Sequence, residues 1–244
     1  MEQHSCHAHQ QSGNENTQCF HEAKSQQSCI RLVPIFNHLE QEQLEEIMHV
    51  TTSKSFKKGE TIYSDGDTSD SLYIVSRGKI RIYRLSESGK EQLVRILSPG
   101  DFTGELALFR EAIHSSYAEA MLDSAVCMIT RPALQAFLLK FPSISLKILS
   151  EFSNRLNASE TQATRLATEK AETRIASFLV ECLEDPAKSM IVELPMTKKD
   201  MASYLGTTPE TISRKLAELE DAGYIRQKTS KKIEILDLDS LLLI

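Results

Sequence analysis

The spacing of apolar positions changes along the chain and divides it into segments of different predicted structure. From Leu39 to Val50, apolar residues recur at intervals that predict a short helix. Apolar and polar positions then alternate, which predicts short strands separated by glycine- and aspartate-rich turns. The predicted strands are Glu60–Tyr63, Ser71–Val75, Lys79–Tyr83, Gln92–Leu97 and Ala125–Ile129. Many short strands at regular intervals favour a small antiparallel barrel or roll.

Helical periodicity returns after the strands, with Pro132 near the start of one predicted helix and Pro142 at the start of another that ends near Thr168. Positions spaced four and three apart in the second helix form a heptad seam. The seam consists of Ser145, Leu149, Phe152, Leu156, Ser159, Ala163 and Leu166. Beyond Phe152 only the seam remains apolar, and so narrow a stripe is typical of a two-chain coiled coil. We therefore predict a dimerisation helix, whose two seam serines make the dimer marginal.

Two short helices joined by a glycine turn are predicted between Met196 and Ile225. Thr197 is a suitable N-cap for the first helix, which Gly206 ends. In the second helix, Thr208 is the predicted N-cap and a proline occupies the first helical position. This arrangement predicts a helix-turn-helix.

The second helix of this motif has a buried face and an exposed face. Its predicted buried residues are Ile212, Leu216 and Leu219, and the opposite face carries Glu210, Ser213 and Arg214, with Lys215 on the flank. An arginine can bond guanine through two hydrogen bonds, a glutamate can accept from a cytosine amino group, and a serine can donate or accept. This face therefore predicts reading of DNA bases in the major groove.

Charge supports a local DNA-binding surface on an otherwise acidic protein. The whole chain has a net charge of −6, whereas residues 198–232 contain eight Lys/Arg against five Asp/Glu. A short hairpin after the second helix is a candidate phosphate-contacting wing; its basic residues are Arg226, Lys228, Lys231 and Lys232. A solvated helical hairpin without a partner is the alternative, which the caps, the turn and the charge reversal disfavour.

Three motifs in the predicted order of roll, long helix and helix-turn-helix resemble the CRP/FNR superfamily of transcription factors. They are GDTSDSLYIVSRGKIRIY (Gly66–Tyr83), PGDFTGELALF (Pro99–Phe109) and ETISRKL (Glu210–Leu216). The resemblance implies an α+β fold in four parts. These are a cysteine- and histidine-rich tail (1–29), a cyclic-nucleotide-binding-like antiparallel β-roll (30–140), a dimerisation helix (141–169) and a winged helix-turn-helix (170–244).

The same resemblance implies that Glu210, Ser213 and Arg214 read TTGAT-type half-sites of an inverted repeat in double-stranded DNA. Thr208, Lys215 and Lys231 complete the predicted DNA contacts. It further implies a homodimer whose interface contains the seam residues from Leu149 to Leu166, and RNA polymerase as a partner.

The signal to which such a regulator responds is predicted from two other regions. In the cyclic-nucleotide branch of the family, an arginine after the Gly-Glu-Leu turn binds the cyclic phosphate. Gly104, Glu105 and Leu106 are present here, but Ser115 stands where that arginine would fall, between His114 and Ser116. A phosphate pocket without its cation loses its main charge-assisted bond. Cyclic AMP is therefore not expected, and Glu105 is predicted to be structural.

The cysteines suggest a different signal. By resemblance to FNR proteins, Cys6, Cys19, Cys29 and Cys127 would hold an oxygen-labile [4Fe–4S] cluster, which needs four thiolates. The spacing departs from the family, because twelve residues separate Cys6 from Cys19 and nine separate Cys19 from Cys29. Four alternatives stay open: a zinc site shared with the tail histidines (His4, His7, His9 and His21), a disulfide such as Cys6 with Cys127, an inert tail, or a small-molecule effector in the roll. Cys182 is expected to be a core residue.

The composition is that of an ordinary folded protein, with 41% hydrophobic and 25% charged residues. No apolar run approaches the roughly 18 residues of a membrane span, and the polar N-terminus does not resemble a signal peptide. We therefore expect a cytoplasmic protein with no membrane partner. Sequence motifs of P-loop enzymes, serine hydrolases and zinc proteases are absent, and an enzyme is not expected.

Overall fold

The computed structural model describes residues 30, 33–105, 112–183 and 185–244. The predicted sites at Cys6, Cys19 and Cys29 lie outside these described residues. Helix α1 (Gln41–His49) leads into a β-roll. The roll contains β1 (Thr51–Phe56), β2 (Thr61–Tyr63), β3 (Thr68–Ser69), β4 (Ser71–Arg77), β5 (Ile80–Leu85), β6 (Glu91–Leu97), β7 (Phe102–Thr103), β8 (Ala112–Ile113), β9 (Tyr117–Ala120) and β10 (Ser124–Thr130).

The roll consists of two antiparallel four-stranded sheets and a small third pairing. The sheet orders are β1-β10-β4-β7 and β2-β9-β5-β6, and β3 pairs with β8. Inward-facing residues such as Ile80 and Ile82 alternate with more exposed neighbours along β5, as expected for a sheet with one face in the core. All five predicted strands are present with ends shifted by at most two residues, which confirms the antiparallel roll.

Two helices follow the roll and meet at a sharp bend. They are α2 (Arg131–Lys140) and α3 (Pro142–Thr168), inclined at 113° to each other. Both have a proline in the first turn, where the missing backbone N–H costs no hydrogen bond. Near its start α3 buries Ile144 and Ile148 against the roll. The long helix therefore has the predicted bounds and is anchored to the roll at one end.

The C-terminal part is a winged helix-turn-helix, as predicted. Its elements are α4 (Ala171–Glu181), β11 (Ile191–Glu193), α5 (Lys198–Tyr204), α6 (Pro209–Asp221), β12 (Ile225–Gln227), β13 (Lys232–Ile235) and α7 (Leu238–Leu242). The three strands form one sheet in the order β11-β13-β12. Cys182, which ends α4, is partly buried against this domain's core, and burial raises the pKa of its thiol to about 11.

Within the described residues, no single helix is long and apolar enough to cross a membrane. The bent pair of α2 and α3 reaches that length and composition only when the two helices are taken together.

Candidate nucleic-acid interface and sensory sites

The two helices α5 and α6 of the helix-turn-helix, together called the reading motif, are capped as predicted. The Thr197 hydroxyl accepts from the backbone N–H of Asp200 at 3.2 Å, and the Thr208 hydroxyl accepts from that of Thr211 at 3.3 Å. Gly206 lies between the helices with φ +62°, a left-handed conformation that favours glycine. Local residue chemistry thus fixes where α5 ends and where α6 begins.

The buried and exposed faces of α6 also agree with the prediction. Ile212, Leu216 and Leu219 are buried in the domain core, whereas Glu210, Ser213 and Arg214 are exposed near the N-terminal end. A backbone hydrogen bond and the Thr208 hydroxyl lower the pKa of Glu210, so its side chain is a charged acceptor. The Arg214 Nε lies 3.8 Å from a Glu218 carboxylate oxygen, and its side chain is 67% exposed. So loose and exposed an ion pair leaves Arg214 available to a base edge.

Lys215 has a different environment from its neighbours. Its ammonium group lies 3.1 Å from the Glu172 carboxylate on α4 and also pairs with Glu218 on its own helix. The side chain is only 21% exposed. Lys215 therefore ties α6 to α4 in this structure, and its contact with DNA stays a prediction.

The wing follows α6 and carries several cations. Arg226 and Lys228 both reach the same Glu234 carboxylate oxygen, at 3.3 Å and 2.9 Å. Lys231 is exposed in the turn between β12 and β13. The hairpin predicted from the sequence is confirmed, and the phosphate contact of Lys231 stays a prediction.

The seam of α3 is an exposed apolar stripe on the single chain. Leu149 and Leu156 are 60% and 61% exposed, and Leu166 is 37% exposed. Ser159 and Ala163 are exposed as well, whereas Phe152 packs partly against the core of the roll. Exposed leucines in a heptad pattern suit a second helix packed along them. At its far end the seam reaches the reading motif, since a Cβ built on Gly206 would lie 2.8 Å from Leu166 Cδ2.

A cavity of about 610 Å³ lies between the roll, α3 and α5. Glu105, which is in its wall, pairs with Arg95 at 3.1 Å and with Arg155 of α3 at 3.0 Å. These two ion pairs agree with a structural role, because they join the roll to the long helix. The hydroxyl of Ser115 accepts from Arg84 Nη2 at 3.1 Å, so a guanidinium from β5 lies beside the position where the family's arginine would fall.

His114 forms another part of the cavity wall. Its ring stacks on Tyr63 with centroids 3.6 Å apart, and burial lowers the pKa of its imidazole. The Tyr63 hydroxyl is hydrogen-bonded to that of Thr103 at 2.8 Å. Arg84, Arg95 and Arg155 also line this cavity, and the sequence did not predict this, because nothing in their spacing along the chain shows that they face one cavity.

Cys127 lies in the core of the roll. It is 1% exposed, and on β10 it is paired across the sheet with Ser53 on one side and Ile74 on the other. It belongs to the same buried cluster as Ile30, the residue that follows Cys29. The described residues contain no group of three or more His, Cys, Asp or Glu able to hold a metal ion. They therefore supply one of the four predicted thiol ligands, and the tail would supply the others.

Comparison with known proteins agrees with both halves of this architecture. Residues 53–141 match the cyclic nucleotide-binding domain family, and residues 173–244 match the Crp-like helix-turn-helix domain family. The chain is 36% identical to a probable transcriptional regulator flp of Lacticaseibacillus casei, over 88% of this chain and 96% of the relative. It is 31% identical to the fumarate and nitrate reduction regulatory protein of Salmonella typhi, over 84% of this chain and 82% of the relative.

Solved structures show the same fold. The structure of FixK2 from Bradyrhizobium japonicum superimposes with a TM-score of 0.69 at 28% identity, over 79% of this chain and 96% of that one. Sequence relatives, domain order and fold thus agree with the geometry of the reading motif. The chain belongs to the CRP/FNR family of DNA-binding transcription regulators.

Proposed function

We propose that the protein acts as a homodimer that reads TTGAT-type half-sites of an inverted repeat, and that the oxygen or redox state controls this reading through its cysteines. The observation that carries the DNA-reading part is the exposed face of α6, on which Glu210, Ser213 and Arg214 project near a capped N-terminus. The names of two relatives, an anaerobic regulatory protein and a fumarate and nitrate reduction regulatory protein, support the oxygen part.

Each residue of the reading face has a distinct role in this proposal. Arg214 donates two hydrogen bonds to a guanine, Glu210 accepts from a cytosine amino group, and Ser213 adds a further base contact. The seam of α3 brings two copies of α6 into successive major grooves, which gives the inverted symmetry of the site. Arg226 and the exposed Lys231 contact phosphates and add affinity without sequence preference.

Replacing Arg214 with alanine is expected to relax discrimination at one base pair of each half-site by about 1–3 kcal/mol, because the bidentate contact is lost. Binding to the inverted repeat and to a set of single-base variants, measured at one fixed salt concentration, checks this. Arg226→Ala in the wing is the matched control, and it should weaken binding to all sequences alike. If Arg214→Ala behaved like Arg226→Ala, Arg214 would be a phosphate contact and the assigned reading face would be wrong.

The redox part of the proposal concerns how the core of the roll communicates with α3. Bound to four thiolates, a [4Fe–4S] cluster would supply a group that oxygen degrades. Cys127 would be one of its ligands, and this residue lies in the buried hydrophobic core that also contains Ile144 and Ile148 of α3. Ile30, which follows Cys29 in the sequence, belongs to the same buried cluster as Cys127, and this supports the choice of Cys29 and Cys127 as two of the four ligands. A change of side-chain packing around Cys127 would therefore also change how α3, the proposed dimerisation helix, packs on the roll.

Protein purified without oxygen is expected to contain about four iron and four sulfide per chain and to lose its visible absorption in air. Cys127→Ser should abolish iron binding, and Cys182→Ser should leave it unchanged, since that thiol lies in the other domain. Iron and acid-labile sulfide assays before and after air check both variants. Zinc, or a disulfide formed in air, would instead favour a thiol-based regulator of the same fold. Equal DNA binding by the iron-loaded and air-treated protein would contradict control by a cluster.

A further inference from the structure

The C-terminal end of α5 is bonded to three other elements. The last carbonyl groups of a helix have no partners within it, so other groups must satisfy them. Here a side chain from β6, one from α3 and one from α4 each donate to a different carbonyl oxygen. The pairs are Gln92 Nε2 to Ser203 O at 2.6 Å, Gln162 Nε2 to Tyr204 O at 3.2 Å, and Arg174 Nε to Leu205 O at 3.0 Å.

The hydroxyl of Ser203 adds two bonds to the sensor roll. It accepts from the backbone N–H of Leu93 at 2.6 Å and donates to the carbonyl of Glu91 at 2.8 Å. Among the described residues β6 is the outer strand of the sheet β2-β9-β5-β6, so no described strand pairs with the backbone groups on its outer side. One serine side chain on α5 satisfies a donor and an acceptor of that edge.

Apolar and charged contacts surround this serine and extend the contact between the two domains. Leu93 of β6 is 2% exposed and belongs to the buried core of the DNA-binding domain rather than to that of the roll. Beside it, a guanidinium nitrogen of Arg81 on β5 lies 3.7 Å from the Asp200 carboxylate of α5. The helix is thus attached to the edge of the sensor by packing, by hydrogen bonds and by an ion pair.

The attachment leaves the reading face uncovered. Glu210, Ser213 and Arg214 are exposed, so the roll does not block them. At the same time α5 and α6 share one buried core through Met201 and Ile212. A fixed α5 therefore fixes the direction in which α6 projects.

We propose that Ser203, with Gln92 and Gln162, positions α6 relative to the roll and the dimerisation helix, and so sets the spacing of half-sites that the dimer accepts. A dimer bridges two half-sites at a fixed separation only if its reading helices are held at a fixed separation. Domains free to turn would accept several spacings. This inference rests on the proposed dimeric reading of an inverted repeat, but it does not depend on the half-site sequence.

The test begins with the inverted repeat that the wild-type protein selects from random DNA. Affinity is then measured for that site and for versions with one base pair added to or removed from the spacer. Ser203→Ala loses two hydrogen bonds in each protomer, and we expect about a 10-fold loss of preference for the selected spacing. Ser203→Thr keeps the hydroxyl and should keep the preference, and Ser55→Ala, at an exposed serine of β1, should behave as wild type.

Three outcomes overturn the inference while the wild type still selects an inverted repeat. They are an unchanged spacing preference in Ser203→Ala, an equal loss of affinity on all spacings, and a gain of affinity, which would make the attachment inhibitory. If Ser203→Ala does not fold, the spacing preference is measured on Gln92→Met instead. This variant removes the donor to the Ser203 carbonyl and keeps the side-chain length. A wild type that selects no inverted repeat would overturn the proposed dimeric reading, and this inference with it.

Discussion

Replacing Gly104 with alanine is expected to lower the free energy of unfolding by about 2–5 kcal/mol, as a sum of backbone strain and crowding. Gly104 has φ +81°, and a Cβ built on it would lie 2.3 Å from the carbonyl oxygen of Ser71 and 2.9 Å from Tyr73 Cδ2. The nearer atom is backbone in β4, so it cannot turn away as the end of a side chain can. Either the strand moves or the Gly104 turn opens. Urea unfolding monitored by circular dichroism measures the loss.

Gly59 provides the matched control for this prediction. It has φ +85°, but a Cβ built on it meets nothing within 4 Å. Gly59→Ala should therefore show only the strain of a left-handed residue, roughly 1–2 kcal/mol. Equal destabilisation by the two variants would mean that crowding at Gly104 costs nothing. The larger loss of stability expected for Gly104→Ala than for Gly59→Ala also concerns function, because the next residue, Glu105, joins the roll to α3 through Arg155.

The reading motif was the part of the molecule most accurately predicted from the sequence. Its signals are local, since the cap at Thr208, the proline after it and the 3.6-residue spacing of Ile212, Leu216 and Leu219 all act within one helix. The structure has the same cap and the same buried residues. The bounds of α3 were predicted equally well, because Pro142 starts the helix and its seam continues to the last turn.

Strands β1 and β9 were not predicted, for a physical reason. The four central residues of β1 are all exposed, so the alternation that marks a half-buried strand is missing from Thr51–Phe56. That segment is a strand because it pairs along its whole length with β10. In β9, Tyr117–Ala120, small alanines take the buried positions and give little apolar contrast. Pairing with a distant strand is a property of the fold that a short window of sequence does not contain.

Sites made of residues from several elements were the least predictable. Glu105 was predicted to be structural, but the two arginines that pair with it come from β6 and from α3, 10 and 50 residues away. Lys215 was placed on the DNA-facing flank, and its internal pair with Glu172 depends on how α4 packs on α6. The attachment of Ser203 to β6 likewise spans 110 residues. Each of these contacts joins elements that are distant in sequence, so it exists only after those elements have packed together.

Replacing Leu156 with glutamate is expected to abolish the dimer and, with it, tight binding to the inverted repeat. Leu156 is 61% exposed on the single chain and lies in the middle of the seam. Burying a leucine side chain contributes about 1.5–3 kcal/mol to the free energy of association. Because the interface is twofold symmetric, the substitution removes this contribution once from each chain. The dimer dissociation constant should therefore rise roughly 1,000-fold, since each 1.4 kcal/mol is a factor of ten. Sedimentation velocity over a range of concentrations measures this change directly.

Leu139→Glu is the control that separates the seam from surface hydrophobicity in general. Leu139 is 85% exposed on α2, outside the heptad seam, and its replacement should leave both the dimer and DNA binding unchanged. A monomeric Leu156→Glu protein has one reading helix per particle, so it should still prefer a half-site sequence while losing the gain from two linked sites. If Leu156→Glu stayed dimeric and bound the inverted repeat as tightly as the wild type, the two chains would meet elsewhere than along α3.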